Sequence, residues 1–174
     1  AGPSLPGEAE LRQSYIKSLA GSVASDLRKL RVLVDCANGA ATAEAPELFR
    51  SAGIQATFIH ISPDGRNINE GCGALHPETL GKMVAQSGLK FDLGVTFDGD
   101  ADRALFCDAN GRVVNGDGVL LAAARDLHAQ GKLNGDTVVS TTMSNMGLEI
   151  ALKKSGVRML RANVGDKYVL EEML

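Results

Sequence analysis

Apolar residues recur along the chain with two periods, and the alternation between those periods sketches an α/β protein. Leu11, Tyr15, Leu19 and Val23 fall at helical spacing and predict an amphipathic helix over residues 8–25. Leu30-Arg31-Val32-Leu33-Val34-Asp35 is a short apolar run that meets Asn38-Gly39, the pattern of a buried strand ending in a turn. Over residues 41–52, Ala45, Leu48, Phe49 and Ala52 share one helical face, with Gly53 as the stop. Residues 55–61 alternate as a strand does. Strand, helix and strand in this order predict a βαβ unit with a right-handed crossover.

Residues 62–76 form a long loop, of the size more often functional than idle in a compact domain. His76-Pro77-Glu78-Thr79 opens a helix that stops near Gly88. Residues 91–97 are an apolar strand running into Asp98-Gly99-Asp100-Ala101-Asp102-Arg103. A second strand over 104–107 leads through an Asn110-Gly111 hairpin turn into 112–114. After Gly116 a fresh α/β series begins: a helix over 118–130, a strand over 136–141, a helix capped by Ser144, a strand over 157–160 and a last helix capped by Asp166. The expected fold class is α/β, with mixed sheets flanked by helices. A boundary near 115–118 gives one complete domain over 1–116 and the first part of a second over 117–174. The chain starts at Ala1, and its last helix reaches Leu174 without a stop signal, so a piece of a longer polypeptide is expected.

Composition narrows the function classes. The chain is 44% hydrophobic and 22% charged, which argues against disorder. Aromatics are only 4% with no Trp, so the core must rest on Ala, Leu, Val and Ile. A net charge of −3 argues against nucleic-acid binding and against a cationic membrane helix. No apolar run approaches the ~18 residues that a membrane span needs. Cys36, Cys72 and Cys107 are odd in number and lack CxxC spacing, so free thiols and a cytoplasmic location are expected. His60 and His128 read as packing or surface groups, and His76 as a capping or loop residue. Asp35, Asn38 and Gly39 read as a turn in which Asn accepts left-handed geometry. Asn67, Asn69 and Cys72 are candidates for a domain interface, and Lys167 for a solvated or substrate-facing cation.

The acidic hexapeptide carries the chemistry. Asp98, Asp100 and Asp102 stand at i, i+2 and i+4, and in an extended loop that spacing turns all three to one side. Two carboxylates ~4 Å apart repel by about 4 kcal/mol at an effective dielectric near 20. A hard cation such as Mg²⁺, which prefers oxygen ligands, relieves that cost. Gly99 and Ala101 keep the loop narrow, and Arg103 offers a donor fork suited to phosphate. An EF-hand needs Gly at position six and an acidic residue at position twelve, where this chain has Arg103 and Ala109, so that reading fails. A phosphatase with Asp98 as nucleophile, a non-catalytic Mg²⁺- or phosphate-binding module, and a solvated acidic turn stay open.

Phe97-Asp98-Gly99-Asp100-Ala101-Asp102-Arg103 resembles the metal-binding loop of the α-D-phosphohexomutases. Val34-Asp35-Cys36-Ala37-Asn38-Gly39-Ala40-Ala41 and Asn67-Ile68-Asn69-Glu70-Gly71-Cys72-Gly73 are similar to the second domain of bacterial members that act on glucosamine phosphate. Val164-Gly165-Asp166-Lys167-Tyr168-Val169 resembles a third-domain stretch in which Arg is more usual than Lys167. The resemblance implies a four-domain cytoplasmic enzyme interconverting glucosamine 6-phosphate and glucosamine 1-phosphate through a phosphoserine and a 1,6-bisphosphate. It implies Asp98, Asp100 and Asp102 as Mg²⁺ ligands and Arg103 as a phosphate or loop contact. It also implies that the first and fourth domains are missing here. No Ser-His-Asn-Pro-like loop occurs in the sequence, so this polypeptide alone is expected to be inactive.

Overall fold

The structure, a computed structural model, describes residues 7–22 and 26–174. It divides into two compact units, Ala1–Val113 and Val114–Leu174. The expected position of Val23 in the first helix, and the chain start before Gly7, lie outside the described residues.

In the first unit, a five-stranded sheet has the order β2-β1-β3-β4-β5, with β1 Arg31–Asp35, β2 Gln55–Ile59, β3 Leu93–Phe97, β4 Ala104–Asp108 and β5 Val113–Val114. β1 runs parallel to both β2 and β3, and β3 runs antiparallel to β4. The sheet is therefore mixed. α2 (Ala41–Ser51) connects the parallel pair β1 and β2, and α3 (Pro77–Gln86) precedes β3.

β1 is buried on both faces, which is why it reads as a continuous apolar run. Alternation sends Val32 and Val34 into a core with Ala41, Ala45 and Val95, where Phe49 and Phe58 meet edge to face with centroids 5.8 Å apart. Leu33 points the other way, into a core with Leu80, Val84, Phe91 and Cys107 under α3. Asp35 shares the Leu33 face, and its register partner on β3 is Thr96.

α1 (Glu8–Gly21) departs from the expected face. Leu11 and Tyr15 are exposed, and Ile16 is the buried residue. Polar contacts orient this helix: Arg12 Nε donates to Glu44 Oε2 at 2.7 Å and Arg12 Nη2 to the Ala43 carbonyl at 2.6 Å, both on α2. Helical spacing of apolar residues could not reveal this docking.

The second unit holds α4 (Gly116–Ala129), β6 (Thr137–Thr141), α5 (Met146–Lys154), β7 (Arg158–Ala162) and α6 (Asp166–Met173). β6 and β7 pair in parallel. Ala124, Val138, Leu148, Leu152 and Val157 form its core. Two expected caps shift by one residue. Asn145 rather than Ser144 caps α5, its Oδ1 accepting from Gly147 N at 2.7 Å. Ser144 Oγ instead meets Ser140 Oγ. Asp166 is the first residue of α6 rather than its cap, which is Gly165.

Candidate functional site

The acidic loop leaves the C-terminal end of β3, a central strand, and returns into β4. Two backbone bonds curl it: Ala101 N donates to the Asp98 carbonyl at 3.1 Å, and Asp98 N to the Arg103 carbonyl at 3.2 Å. Ala101 sits at φ 60, in the left-handed region. The period-two rule holds for extended backbone, so it does not describe this curled loop. Asp98 is buried, whereas Asp100 and Asp102 are exposed. Asp98 Oδ1 accepts from Arg103 N at 3.0 Å, and Oδ2 from Arg103 Nε at 2.7 Å. The Arg103 amide first, and then its guanidinium, hold the Asp98 carboxyl below the usual carboxylate range against the opposing effect of burial. With both oxygens engaged by a cationic neighbour, Asp98 is a poor nucleophile, which counts against the phosphatase reading. Arg103 thus commits its Nε to the loop, while its side chain stays largely exposed.

Two neighbouring segments hold the loop from behind. Ala40 N donates to the Gly99 carbonyl at 2.9 Å. A Cβ on Gly39 would lie 2.3 Å from that same oxygen, so only glycine permits the approach. A Cβ on Gly99 would lie 2.7 Å from Ile68 Cδ1 and 2.9 Å from Asn69 Nδ2. On the open side, a groove lined by Tyr15, Leu19, Leu48, Phe49 and Phe97 borders Asp100 and Ala101.

Behind these segments lies a second cluster that the sequence reading took for an ordinary turn. Asp35 is fully buried. Its Oδ1 accepts from Ala37 N at 2.9 Å and faces His60 Nδ1 at 3.0 Å, and its Oδ2 accepts from Gly73 N at 2.9 Å. Ligand atoms of Asp35, His60 and Cys72 lie within 4.8 Å of one another. Burial first, and then the Asp35 charge, raise the thiols of Cys72 and of Cys36, the latter to about 12. Protonated thiols around a carboxylate already engaged by three donors describe a hydrogen-bonded hub rather than a cation site. The register that sets Asp35 beside Ile59, and thus near His60, was invisible in the sequence; the one signal was an Asp closing an apolar strand.

The remaining candidates are peripheral. His76 is the N-cap residue of α3, as expected, without a side-chain capping bond, and its Nδ1 lies 3.6 Å from Glu78 Oε1. His128 Nδ1 lies 2.9 Å from Asp136 Oδ1. Lys167 is exposed and lies 3.7 Å from Glu171. Asn67 braces its own loop, taking Asp64 N on Oδ1 and donating to the Ser62 carbonyl, both at 3.0 Å. All three cysteines are free and buried.

Sequence models of phosphoglucomutase/phosphomannomutase match both units: the α/β/α domain II over residues 13–111, and the α/β/α domain III over residues 115–174. The chain belongs to the phosphoglucomutase/phosphomannomutase family. It is 63% identical to the phosphoglucosamine mutase of Koribacter versatilis over 174 residues, covering 99% of this chain and 38% of that protein. The corresponding enzyme of Solibacter usitatus is 54% identical over 98% of this chain and 38% of its own length. The chain thus spans about two-fifths of the curated relatives it matches. Among solved structures, an Aspergillus fumigatus N-acetylphosphoglucosamine mutase in complex with GlcNAc-6P and magnesium matches with a TM-score of 0.71 and 26% identity, over 92% of this chain and 34% of that one. A Burkholderia thailandensis family protein matches in fold with a TM-score of 0.78 and 23% identity, over 94% of this chain and 35% of that one.

Within this family fold, the donor set of the acidic loop suits a magnesium ion. Three carboxylates within five residues offer only hard oxygen ligands. Asp100 and Asp102 are exposed and make no side-chain ion pair among the described residues, while Asp98 keeps lone pairs beyond its two Arg103 bonds.

Proposed function

We propose that this chain is the metal-binding portion of a phosphoglucosamine mutase, an enzyme interconverting glucosamine 6-phosphate and glucosamine 1-phosphate. The observation that carries the reading is the acidic loop at the end of a central strand, in a chain whose near relatives bear that enzyme's name. Asp98, Asp100 and Asp102 are the residues that would hold Mg²⁺. When bound, the ion neutralises charge on a phosphoryl group, the main requirement of phosphoryl transfer. The chain's own contribution is placement. Arg103 fixes the Asp98 carboxylate, and the Gly39–Gly99 contact fixes the loop against the sheet. The phosphoserine that exchanges its phosphoryl group through a 1,6-bisphosphate, and the phosphate-clamping domain, belong to the first and fourth domains, outside this chain. The three free buried thiols support a reducing, cytoplasmic setting. Among the described residues, no helix is long and apolar enough to cross a membrane.

The test is a coupled assay for glucosamine 1-phosphate with the full-length protein and with this chain alone. The full-length protein turns over and needs Mg²⁺, Asp100→Asn raises the Mg²⁺ requirement at least tenfold, and the chain alone is inactive. Turnover by the isolated chain, or an unchanged Mg²⁺ requirement in Asp100→Asn, overturns the corresponding part of the reading.

A further inference from the structure

The first unit concentrates unusual backbone at one end of its sheet. Among the described residues, six non-glycine positions have positive φ, and five of them are Ala37, Asn38, His60, Asn69 and Ala101. These five lie in the segments that follow β1, β2 and β3 or in the loop before α3. Left-handed backbone costs free energy at each such residue and persists only where surrounding contacts over-determine it. Two of the five, Ala37 and His60, are held directly by one carboxylate, and Asn38 and Asn69 bond to those two residues in turn. Asp35 takes the amide of Ala37, the amide of Gly73 and a hydrogen bond with the His60 ring, thereby tying together segments 25 and 38 residues away in the chain.

Two of the three tied segments, the turn at Ala37 and the loop at Gly73, also touch the acidic loop or its root, and the His60 carbonyl braces the first of them by accepting from Asn38 N at 2.7 Å. The Asp35–Ala37 bond sets the turn whose Ala40 amide holds the Gly99 carbonyl. Asn69 N donates to the Ala37 carbonyl at 2.9 Å, and that bond brings Ile68 and Asn69 against Gly99. Gly73, held by Asp35 Oδ2, is packed so closely that a Cβ would lie 2.9 Å from the Phe97 carbonyl, at the loop's entry. The acidic loop therefore has two restraints of different origin. Arg103 shapes it from within, and Asp35 places it from behind without touching it.

We propose that Asp35 is the positioning residue of the acidic loop, holding the turn after β1, the loop before α3 and the residue after β2 as one cradle that fixes where the three carboxylates stand. This rests on the reading of that loop as a divalent-cation site. An isosteric Asp35→Asn exchange replaces one acceptor oxygen by a donor, so either the Ala37 or the Gly73 amide faces an N–H and loses its partner. The cradle loosens, and the cation must then pay for ordering the loop.

The experiment is Mn²⁺ binding to the 174-residue chain, with Kd from electron paramagnetic resonance and location from broadening of the amide signals of residues 98–103. Asp35→Asn weakens Mn²⁺ binding about tenfold, the equivalent of ~1.4 kcal/mol. His60→Ala, which removes one donor and leaves both amides bonded, weakens it about threefold, in keeping with loss of one of three hydrogen bonds. Val84→Ala is the control, because it thins the core under α3 and lowers stability without touching the cradle, so its Kd stays within about twofold. Mn²⁺ binding by Asp35→Asn within twofold of wild type overturns the proposal. Should Asp35→Asn fail to give a folded spectrum, an unchanged Kd in His60→Ala overturns it instead. If the wild-type chain shows no broadening at 98–103, or Asp100→Asn binds as wild type does, the cation-site reading falls and the proposal falls with it. If Asp100→Asn loses binding and Asp35→Asn does not, the proposal alone fails.

Discussion

Replacing Gly39 by alanine puts a methyl group in place of one hydrogen at a very tight backbone approach beside the acidic loop. An ideal Cβ there lies 2.3 Å from the Gly99 oxygen, 2.8 Å from its Cα and 2.9 Å from its carbonyl carbon. All three are backbone atoms, so no side chain can rotate away. An ordinary carbon–oxygen contact needs about 3.3 Å, so the two segments must separate by about 1 Å. That separation strains or breaks the Ala40 N to Gly99 O bond, now 2.9 Å. Overpacking of this kind costs about 1–3 kcal/mol, and a lost hydrogen bond adds about 1 kcal/mol, giving roughly 2–4 kcal/mol in all. At about 4 °C per kcal/mol for a domain of this size, the first unit should melt roughly 8–16 °C lower. Thermal unfolding followed by near-ultraviolet circular dichroism measures the shift. The matched control is Gly88→Ala, whose Cβ would meet nothing within 4 Å and should change stability by less than about 0.5 kcal/mol. If Gly39→Ala melts with Gly88→Ala and wild type, the contact does not constrain the loop, and the account of how the acidic loop is seated is wrong.

Two further outcomes test other parts of the structure. Asn145→Ala removes the N-cap of α5 and should cost the second unit about 1 kcal/mol in urea, while Asn145→Ser should largely retain it; equal midpoints for all three would contradict the cap. Asp108 accepts the amides of Arg112 and Asn110, both at 2.9 Å, and its pKa is lowered chiefly by the Arg112 amide. A carboxyl depressed on folding contributes stability above its unfolded pKa near ~3.9, and that contribution is lost as pH falls through the lower folded value. Asp108→Ala should therefore be less stable than wild type at pH 7, with the gap closing in strong acid. A gap independent of pH, read from urea midpoints, would refute the linkage.

Local chemistry wrote much of this protein into its sequence. The apolar run 30–35, the helical face of 41–52 and the turn at Asn110-Gly111 are each fixed by residues within a few positions, so β1, α2 and the β4–β5 hairpin appear where expected. The concentration of carboxylates at 98–102 is likewise a property of adjacent residues, and so was visible as candidate chemistry. What sequence spacing could not supply was the set of non-local partners. The buried residue of α1 is Ile16 rather than Leu11 or Tyr15, on a helix whose Arg12 meets Glu44, 32 residues away. Asp98 is buried while Asp100 and Asp102 are exposed, in a loop whose left-handed Ala101 no periodicity rule anticipates. Asp35 looked like part of a turn because its meaning lies in His60 and Gly73, 25 and 38 residues on. Closing those separations takes the register of parallel strands, which only the folded sheet sets. Sequence thus determined which elements form and which loop carries the charge. Tertiary structure decided which buried carboxylate holds that loop in place, because a buried charge is stable only where the fold brings its donors together.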